Sequence, residues 1–589
     1  MDARRGEVVT GDNPRIFAGD HLRRPKLTPE EERDIVGAAL ARPIRPSGKE
    51  HSPMFERRTI LLWAPIVFAV VLRIWLTMNL PLSFLPEAGA DDGLFMRHAA
   101  SLLAGHWLGS YDQMTLVKGP GYPWFLVLAS LTGLPVSLAH VLFQLIAMSV
   151  LALAILRITG SSALAVITFT TLALHPVGYS VELQRVIRDQ IYWAQTLLTF
   201  ALLATTFIAP SRSRAADIGT AFLAGLFLGW TWLTREEGIW LAPGVAVLML
   251  SGFFLARTRP VAGRMLVVGF AFLAVLGLFR TFNYIAYGSF IGVEVNSGSF
   301  EEAMDALQSV QIGKRPYVPV STEARAAIAP VSPSFAPLAE KLAVGSPLLN
   351  AWSKPGCQTY PSTCGDIAGG WFMWALRGAG AQAGYYKSPA IASQKFRAIS
   401  EEVGQACESG KLPCSASPVP LMAWTPGLLD RLPASLIRVA ERIAFTKPAD
   451  GRVGVRPYPV VGSHAADMWS LLNHPRIDAT PTTMAEKAAR AVRSAMIRIY
   501  GAGVPALSVI GLFAVLFLLA RPKQAVRDPV TLTAAAAWAL VAARAAILTL
   551  ADASSFPAAN LLYTAPANFC LVLASLLSVF AVLRGVQNA

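Results

Sequence analysis

Charge is scarce in this sequence: only 15% of its 589 residues are Asp, Glu, Lys or Arg, against 54% that are apolar. That shortage excludes a single water-soluble core, because apolar runs of membrane-spanning length recur along the chain and make the bilayer its main solvent. Internal repeats are missing, as is any low-complexity tract beyond alanine enrichment. No cleavable signal peptide precedes the first apolar run. A complete octahedral metal set is also missing, since no His-Glu cluster accompanies the adjacent carboxylates described below. The net charge of +14 does not imply nucleic acid as a partner. Much of the Lys and Arg sits in the N-terminal tail and in short loops between apolar runs, where it sets topology. Residues 1–57 carry many charges, several prolines and no apolar periodicity, which predicts a disordered cytoplasmic tail.

What is present is a series of ten expected spans, at about 58–80, 136–157, 162–181, 188–209, 217–234, 239–257, 264–286, 502–521, 530–551 and 562–584. The loops after the even-numbered spans carry Arg157, then Arg212 and Arg214, then Arg257, Arg259 and Arg264, then Arg521, Lys523 and Arg527. Positive loops face the cytoplasm, so both termini are expected there and every odd-to-even connection faces outward. Two of those outward connections are long: 81–135, and 287–501 inserted before the last three spans. The expected fold class is therefore an all-α polytopic membrane protein with a mixed, mostly helical extracytoplasmic domain. An N-terminal membrane module, 58–286, precedes that domain and C-terminal helices, 502–589, follow it.

The larger connection mixes helix-like stretches such as Phe372 to Cys407 with Pro- and Gly-rich loops. It holds four of the five cysteines: Cys357 and Cys364 around one short loop, Cys407 and Cys414 around another. In an oxidising compartment four thiols favour two disulfides, and the two local pairings are the simplest of three connectivities. Zinc is the rival, although the spacings are wider than those of common zinc ribbons. Cys570 lies in the last span, as a packed apolar residue.

The first outward connection begins with Asp91 and Asp92, followed by Phe95, Ala99, Leu102 and Leu103 at helical spacing. That pattern predicts an amphipathic helix in the membrane interface, with the carboxylates near its N-terminus either as a cap or as functional groups. Next comes Lys118-Gly119-Pro120-Gly121-Tyr122-Pro123, a cation just before a rigid aromatic turn. It reads either as a lipid-phosphate ligand or as an ordinary snorkelling lysine. Arg185, Arg188 and Asp189 stand at the outer entrance of the fourth span, and Arg235, Glu236 and Glu237 at the turn between the fifth and sixth. Outer loops are normally poor in such cations, so a polar site at the helix ends competes with a purely structural salt-bridge network. Arg544 inside the ninth span, with Asp552, Asn560 and Tyr563 near its outer end, extends the set.

The acidic pair, the Lys-Gly-Pro-Gly-Tyr-Pro turn, the Thr-Arg-Glu-Glu-Gly turn, the long late outer domain and the Tyr563 to Pro566 motif together resemble the GT-C superfamily of membrane glycosyltransferases. The likeness is to bacterial dolichyl-phosphate-mannose mannosyltransferase-like and aminoarabinose-transferase-like members. It covers about 58–290 well and the last three spans loosely. The resemblance implies transfer of a sugar from a polyprenyl-phosphate carrier to an acceptor in the envelope, whether glycan, lipid or protein, at the outer face of a bacterial inner membrane. It places Asp91 or Asp92 as general base, with Asp91 preferred because Phe95 follows it by four. Lys118, Arg188 and Arg235 then stabilise the departing phosphate, and Tyr122, Glu236, Glu237, Asp552 and Tyr563 contact substrate.

Relatives often carry Asp-Glu and Lys-Pro-Pro where this chain has Asp-Asp and Lys-Gly-Pro. Some superfamily members use a divalent ion, and metal-independent chemistry is the expectation here. The rival classes are a transporter or flippase of a lipid-linked precursor, and a non-catalytic envelope scaffold. A transporter predicts charged or broken helices near the bilayer midplane and inverted repeats between halves, neither of which the sequence displays apart from Arg544.

Overall fold

The computed structural model describes residues 53–80, 82, 89–180, 182–210, 213–255, 258–296, 298–415, 424–445 and 483–587. The expected tail up to residue 52, Arg212, Arg257, and residues 446–482 of the long connection lie outside the described residues. The chain divides into two units, Met1–Thr59 and Ile60–Ala589, and the second carries everything that follows.

Its principal helices are α1 (Pro53–Met78), α2 (Asp92–Leu103), α3 (Gly121–Leu131), α4 (Val136–Thr159), α5 (Ser162–Ala173), α6 (Asp189–Phe207), α7 (Arg214–Thr234), α8 (Ala242–Leu255) and α9 (Thr258–Tyr287). An inserted group follows, with α10 (Gly298–Ser309), α11 (Pro347–Thr359), α12 (Gly369–Gln382), α13 (Pro389–Glu408) and α14 (Leu428–Ile443). The chain then returns through α15 (Met484–Leu519), α16 (Pro529–Ser554) and α17 (Leu561–Gln587). Among the described residues two isolated bridges, Val310 with Cys414 and Arg315 with Val318, stand outside helices and turns as β pairing. The protein is an all-α, multi-pass membrane protein.

Local chemistry sets where these helices stop and start. α4 ends at Gly160, whose φ of 70° a side chain would resist. Ser161 then caps α5 by accepting from the Leu164 N–H at 3.2 Å. The expected span 162–181 is helical only to Ala173, and Pro176 opens a 3-10 turn to Tyr179 because proline cannot donate into a continuing helix. Asp528 caps α16 through the Thr531 N–H at 2.9 Å.

Among the described residues eight stretches are long and apolar enough to cross a membrane, and the two remaining expected spans are helices as well. α1 offers a shorter apolar run, Trp63–Met78. α6 is more polar because it lies inside the bundle rather than against lipid, and nearly all of its residues are buried. Two of its polar groups are met by neighbouring helices: Gln144 of α4 donates to the Gln190 side chain at 2.8 Å, and Thr199 pairs with Thr231 at 3.0 Å. Trp193 stacks on Phe569 of α17 at 3.9 Å between centroids. The outer faces of α9 (Leu266, Phe270, Leu273) and α15 (Val509, Ile510, Phe513) expose apolar side chains that hydrocarbon covers.

The inserted helices have their own core, built around Phe300, Leu307, Phe372, Phe396, Ile399 and Val403. The stretch Phe372 to Cys407 is two helices rather than one, because Gly384 turns left-handed (φ 75°) and Ser388 caps a new start before Pro389. Disulfides join Cys357 to Cys364 and Cys407 to Cys414, while Cys570 is a buried free thiol.

Candidate functional site

Asp91 stands at the N-cap position of α2, yet its side chain makes no capping hydrogen bond. It reaches instead across to Lys118, which it meets in an ion pair. Asp92, one residue on, is wholly buried and grips Arg185, with Nε to Oδ1 at 2.9 Å and a second contact at 2.5 Å. Two adjacent carboxylates thus have different duties. Lys118 is itself buried, with its Nζ 5.3 Å from the centre of the Phe95 ring and 5.7 Å from that of Trp374. Burial raises the Asp91 carboxyl, but Lys118, Arg188 and Arg185 outweigh it and hold the group down to about 2. Burial and Arg188 push the Lys118 ammonium below its ordinary range, against the pull of Asp91 and Glu236.

The turn that presents Lys118 is fixed by absent side chains. A Cβ on Gly119 would lie 2.0 Å from the Leu233 carbonyl oxygen, and one on Gly121 would lie 2.3 Å from Thr234 Oγ1. The turn therefore packs backbone to backbone against the end of α7, and Trp230 locks it by donating to the Gly121 carbonyl at 2.8 Å. The Gly119 N–H also points to Glu236 Oε1 at 3.3 Å. Proline at position 119 would have neither the space nor the N–H that this packing requires.

Glu236 also accepts from Arg188 at 2.6 Å, and Arg188 donates to the Thr234 carbonyl at 3.2 Å. Arg235 turns the other way, pairing with Asp189 and donating to Glu237 at 2.7 Å. Glu237 in turn lies 3.4 Å from Arg544, whose Nε donates to the Tyr563 carbonyl at 3.0 Å. The Tyr563 ring lies under the Arg235 guanidinium at 4.9 Å. Burial raises Glu237, but Arg235, Arg544 and Arg188 hold it well below the usual carboxylate range. The loops before α2, α3, α6 and α8 and the adjoining ends of α16 and α17 thus meet in one network. It holds five cations (Lys118, Arg185, Arg188, Arg235, Arg544) and five carboxylates (Asp91, Asp92, Asp189, Glu236, Glu237), so its charge is balanced.

Most residues singled out in the sequence gather here: Asp91, Asp92, Lys118, Arg188, Arg235, Glu236, Glu237 and Tyr563. Tyr122 lies just beneath, fully buried, edge-on to Phe95 at 5.2 Å and with its hydroxyl 3.1 Å from His140. Asp552 is held elsewhere, accepting from Arg438 of α14 at 2.6 Å and from the Ala559 N–H at 3.2 Å. Trp374 was not legible beforehand. It arrives over Lys118 from α12, more than two hundred residues along the chain, and no local signal marks it. Among the described residues, no group of three or more His, Cys, Asp and Glu is gathered to hold a metal ion.

No protein-family model and no curated protein matches the chain. Two solved structures are similar along most of its length: ArnT from Cupriavidus metallidurans in the apo state, and the same protein bound to undecaprenyl phosphate. They are 15% and 14% identical, cover 88% of this chain and 77% and 78% of their own, and superpose with a TM-score of 0.31 in both cases. A likeness that distant carries no functional argument, and the reading below rests on the side chains.

Proposed function

We propose that this protein is a glycosyltransferase that moves a sugar from a polyprenyl-phosphate donor to an acceptor at the outer face of a bacterial inner membrane. Its connection 81–135 and its inserted domain lie on that face, and both termini are cytoplasmic. The observation that carries the reading is the Asp91–Lys118 pair, a carboxylate and a cation at the open end of an otherwise closed, charge-balanced network.

In a balanced network an incoming phosphate needs a cation that gives up its carboxylate. Asp91 is the carboxylate to leave, since 38% of its side chain is exposed while its counterparts around Arg185, Arg188 and Arg235 are more covered. Lys118 then binds the donor phosphate, with Arg188 and Arg235 adding field from fixed positions. Released from Lys118, Asp91 becomes more basic and accepts the proton of the acceptor hydroxyl or amine. The acceptor heteroatom bonds to the anomeric carbon from the face opposite the phosphate. The bond from that carbon to the phosphate oxygen breaks with its electron pair leaving on the phosphate. Glycosylated acceptor, polyprenyl phosphate and a protonated Asp91 result, with inversion at the anomeric carbon. Glu236 and Glu237 hold Arg188 and Arg235 in place, Tyr563 backs Arg235, and Tyr122 supports Phe95 beneath Lys118.

The test is transfer in membranes supplied with polyprenyl-phosphate sugars, comparing the wild type with Asp91→Asn. Undiminished transfer by the variant removes Asp91 as base. Comparing envelope glycans by mass in cells with and without the protein identifies the sugar, and unchanged glycans overturn the reading.

A further inference from the structure

A second polar centre lies one helical turn beyond the first. α12 delivers Trp374 to Lys118 and, three residues on, Arg377 to a small pocket between α10, α13 and the turns that carry Glu294 and Tyr386. Arg377 is 1% exposed. Its Nε and Nη2 donate to the Gln113 carbonyl at 2.8 and 2.5 Å, and Nη2 also meets Glu294 at 2.6 Å. The other Glu294 oxygen accepts from the Tyr111 hydroxyl at 2.5 Å.

The guanidinium also lies over the Phe300 and Tyr386 rings, 5.2 and 4.9 Å from their centres, yet Arg377 Nη1 and the Tyr386 hydroxyl have no hydrogen-bond partner. Both residues line the pocket, together with Ser299, Ser393 and the rings of Phe300 and Phe396. A buried donor on a guanidinium is costly to leave unmade, so its presence beside a cavity points to a group that arrives from outside. This centre also touches the first through its frame: the Glu294 N–H donates to the Leu116 carbonyl at 2.8 Å, and Asn296 donates to the Glu236 carbonyl at 2.9 Å.

From this placement we infer that the pocket is an acceptor subsite that receives one hydroxyl or hydroxymethyl group of a neutral carbohydrate. The inference rests on the proposed function for the word acceptor and on the pocket itself for the rest. Three features select the chemistry. The free atoms offer donors, so the incoming atom is an acceptor such as a sugar oxygen. Glu294 already neutralises Arg377, so the pocket carries no surplus positive charge to favour a phosphate or carboxylate. The room between the Phe300 and Phe396 rings is of the order of one water-sized group, so a single substituent is read rather than a whole ring enclosed.

Saturation-transfer NMR on the full chain in nanodiscs tests this without requiring turnover. The probes are the methyl glycosides of glucose, mannose and galactose, with glucuronate and glucose 6-phosphate as charged arms. At least one neutral glycoside is expected to bind, more tightly than either charged sugar. Ser393→Leu fills the pocket and abolishes that signal, and Tyr386→Phe, which removes only a hydroxyl, weakens binding about tenfold. Stronger binding of the charged sugars, a signal that survives Ser393→Leu with Tyr386→Phe unchanged, or no signal from any probe, which leaves the pocket to water alone, each overturns the subsite. If the neutral glycoside binds here while no polyprenyl-phosphate sugar is ever transferred, the subsite stands and the proposed function falls.

Discussion

Asp91 and Asp92 are neighbours on the chain, yet one has 38% of its side chain exposed and faces a lysine, while the other is wholly buried in a bidentate grip on Arg185. The same contrast runs through the network. At the Arg235 end both partners, Arg235 and Asp189, are buried, with a ring beneath the guanidinium. A buried pair of that kind contributes little net stability over apolar packing but is expensive to break. The open pair can exchange one anion for another. The difference teaches that charge at helix ends is not one kind of evidence: the closed pairs tie helix ends together, and the open pair is where the proposed function lets a substrate enter.

That contrast is broken or sharpened first by Asp91→Asn. Transfer is expected to fall by about 10²–10⁴, the range for loss of a general base, with folded protein still recovered although buried Lys118 loses its carboxylate and the thermal midpoint drops. Lys118→Ala is expected to lower transfer by about 10²–10³, as for a lost oxyanion donor, and to raise KM for the lipid donor. Asp92→Asn should behave in the opposite way. It leaves Arg185 without its buried carboxylate and costs about 3–5 kcal/mol of stability, read as lost folded protein in detergent rather than as a slower step. If Asp92→Asn folds normally and only catalysis suffers, the two carboxylates have exchanged their assigned roles.

A smaller effect is expected from Gly119→Ala. The new Cβ lands on the Leu233 carbonyl, so either the turn or the end of α7 must shift. Overpacking of this sort costs about 1–3 kcal/mol, and here it also moves Lys118. Stability and transfer should therefore fall together, and a change in only one of them shows that the turn does not position the lysine.

The sequence made the membrane architecture legible because solvent chemistry is written locally: each apolar run declares its own burial, and short basic loops mark its ends. The polar residues at the helix ends were legible for the opposite reason, since Arg188, Arg235, Glu236 and Glu237 stand where cations and carboxylates are out of place. Their partners were not. Which carboxylate serves which guanidinium depends on how α6, α7 and α16 pack, and Asp189 gave no hint that it belonged to Arg235 rather than Arg185. Asp552 looked like a member because it lies near Tyr563 in sequence, but α14 supplies Arg438 to claim it. Trp374, Arg377 and Glu294 were hidden more deeply, because their meaning comes from contacts with Lys118, Gln113 and Tyr111 far along the chain.

The finest test of the open pair is a pH profile. In the unliganded protein Asp91 is held down to about 2 because Lys118, Arg188 and Arg185 outweigh the effect of burial. A depressed carboxylate contributes its ion pair above the ordinary Asp value and loses it only as pH falls through the folded value, so Asp91 stays charged across the usual assay range. The acid limb of kcat/KM, which reports the free protein, should accordingly show no Asp91 titration above about pH 4. Once the donor phosphate engages Lys118, the lysine no longer holds the carboxylate down and burial pushes it up. The acid limb of kcat, which reports the complex, should then lie at higher pH than that of kcat/KM. Lys118→Ala removes the same restraint before any donor binds, so its kcat/KM limb should move upward toward the kcat limb. Limbs that coincide in the wild type mean that Lys118 keeps Asp91 throughout the cycle, and in that case neither residue is free to do the work assigned to it.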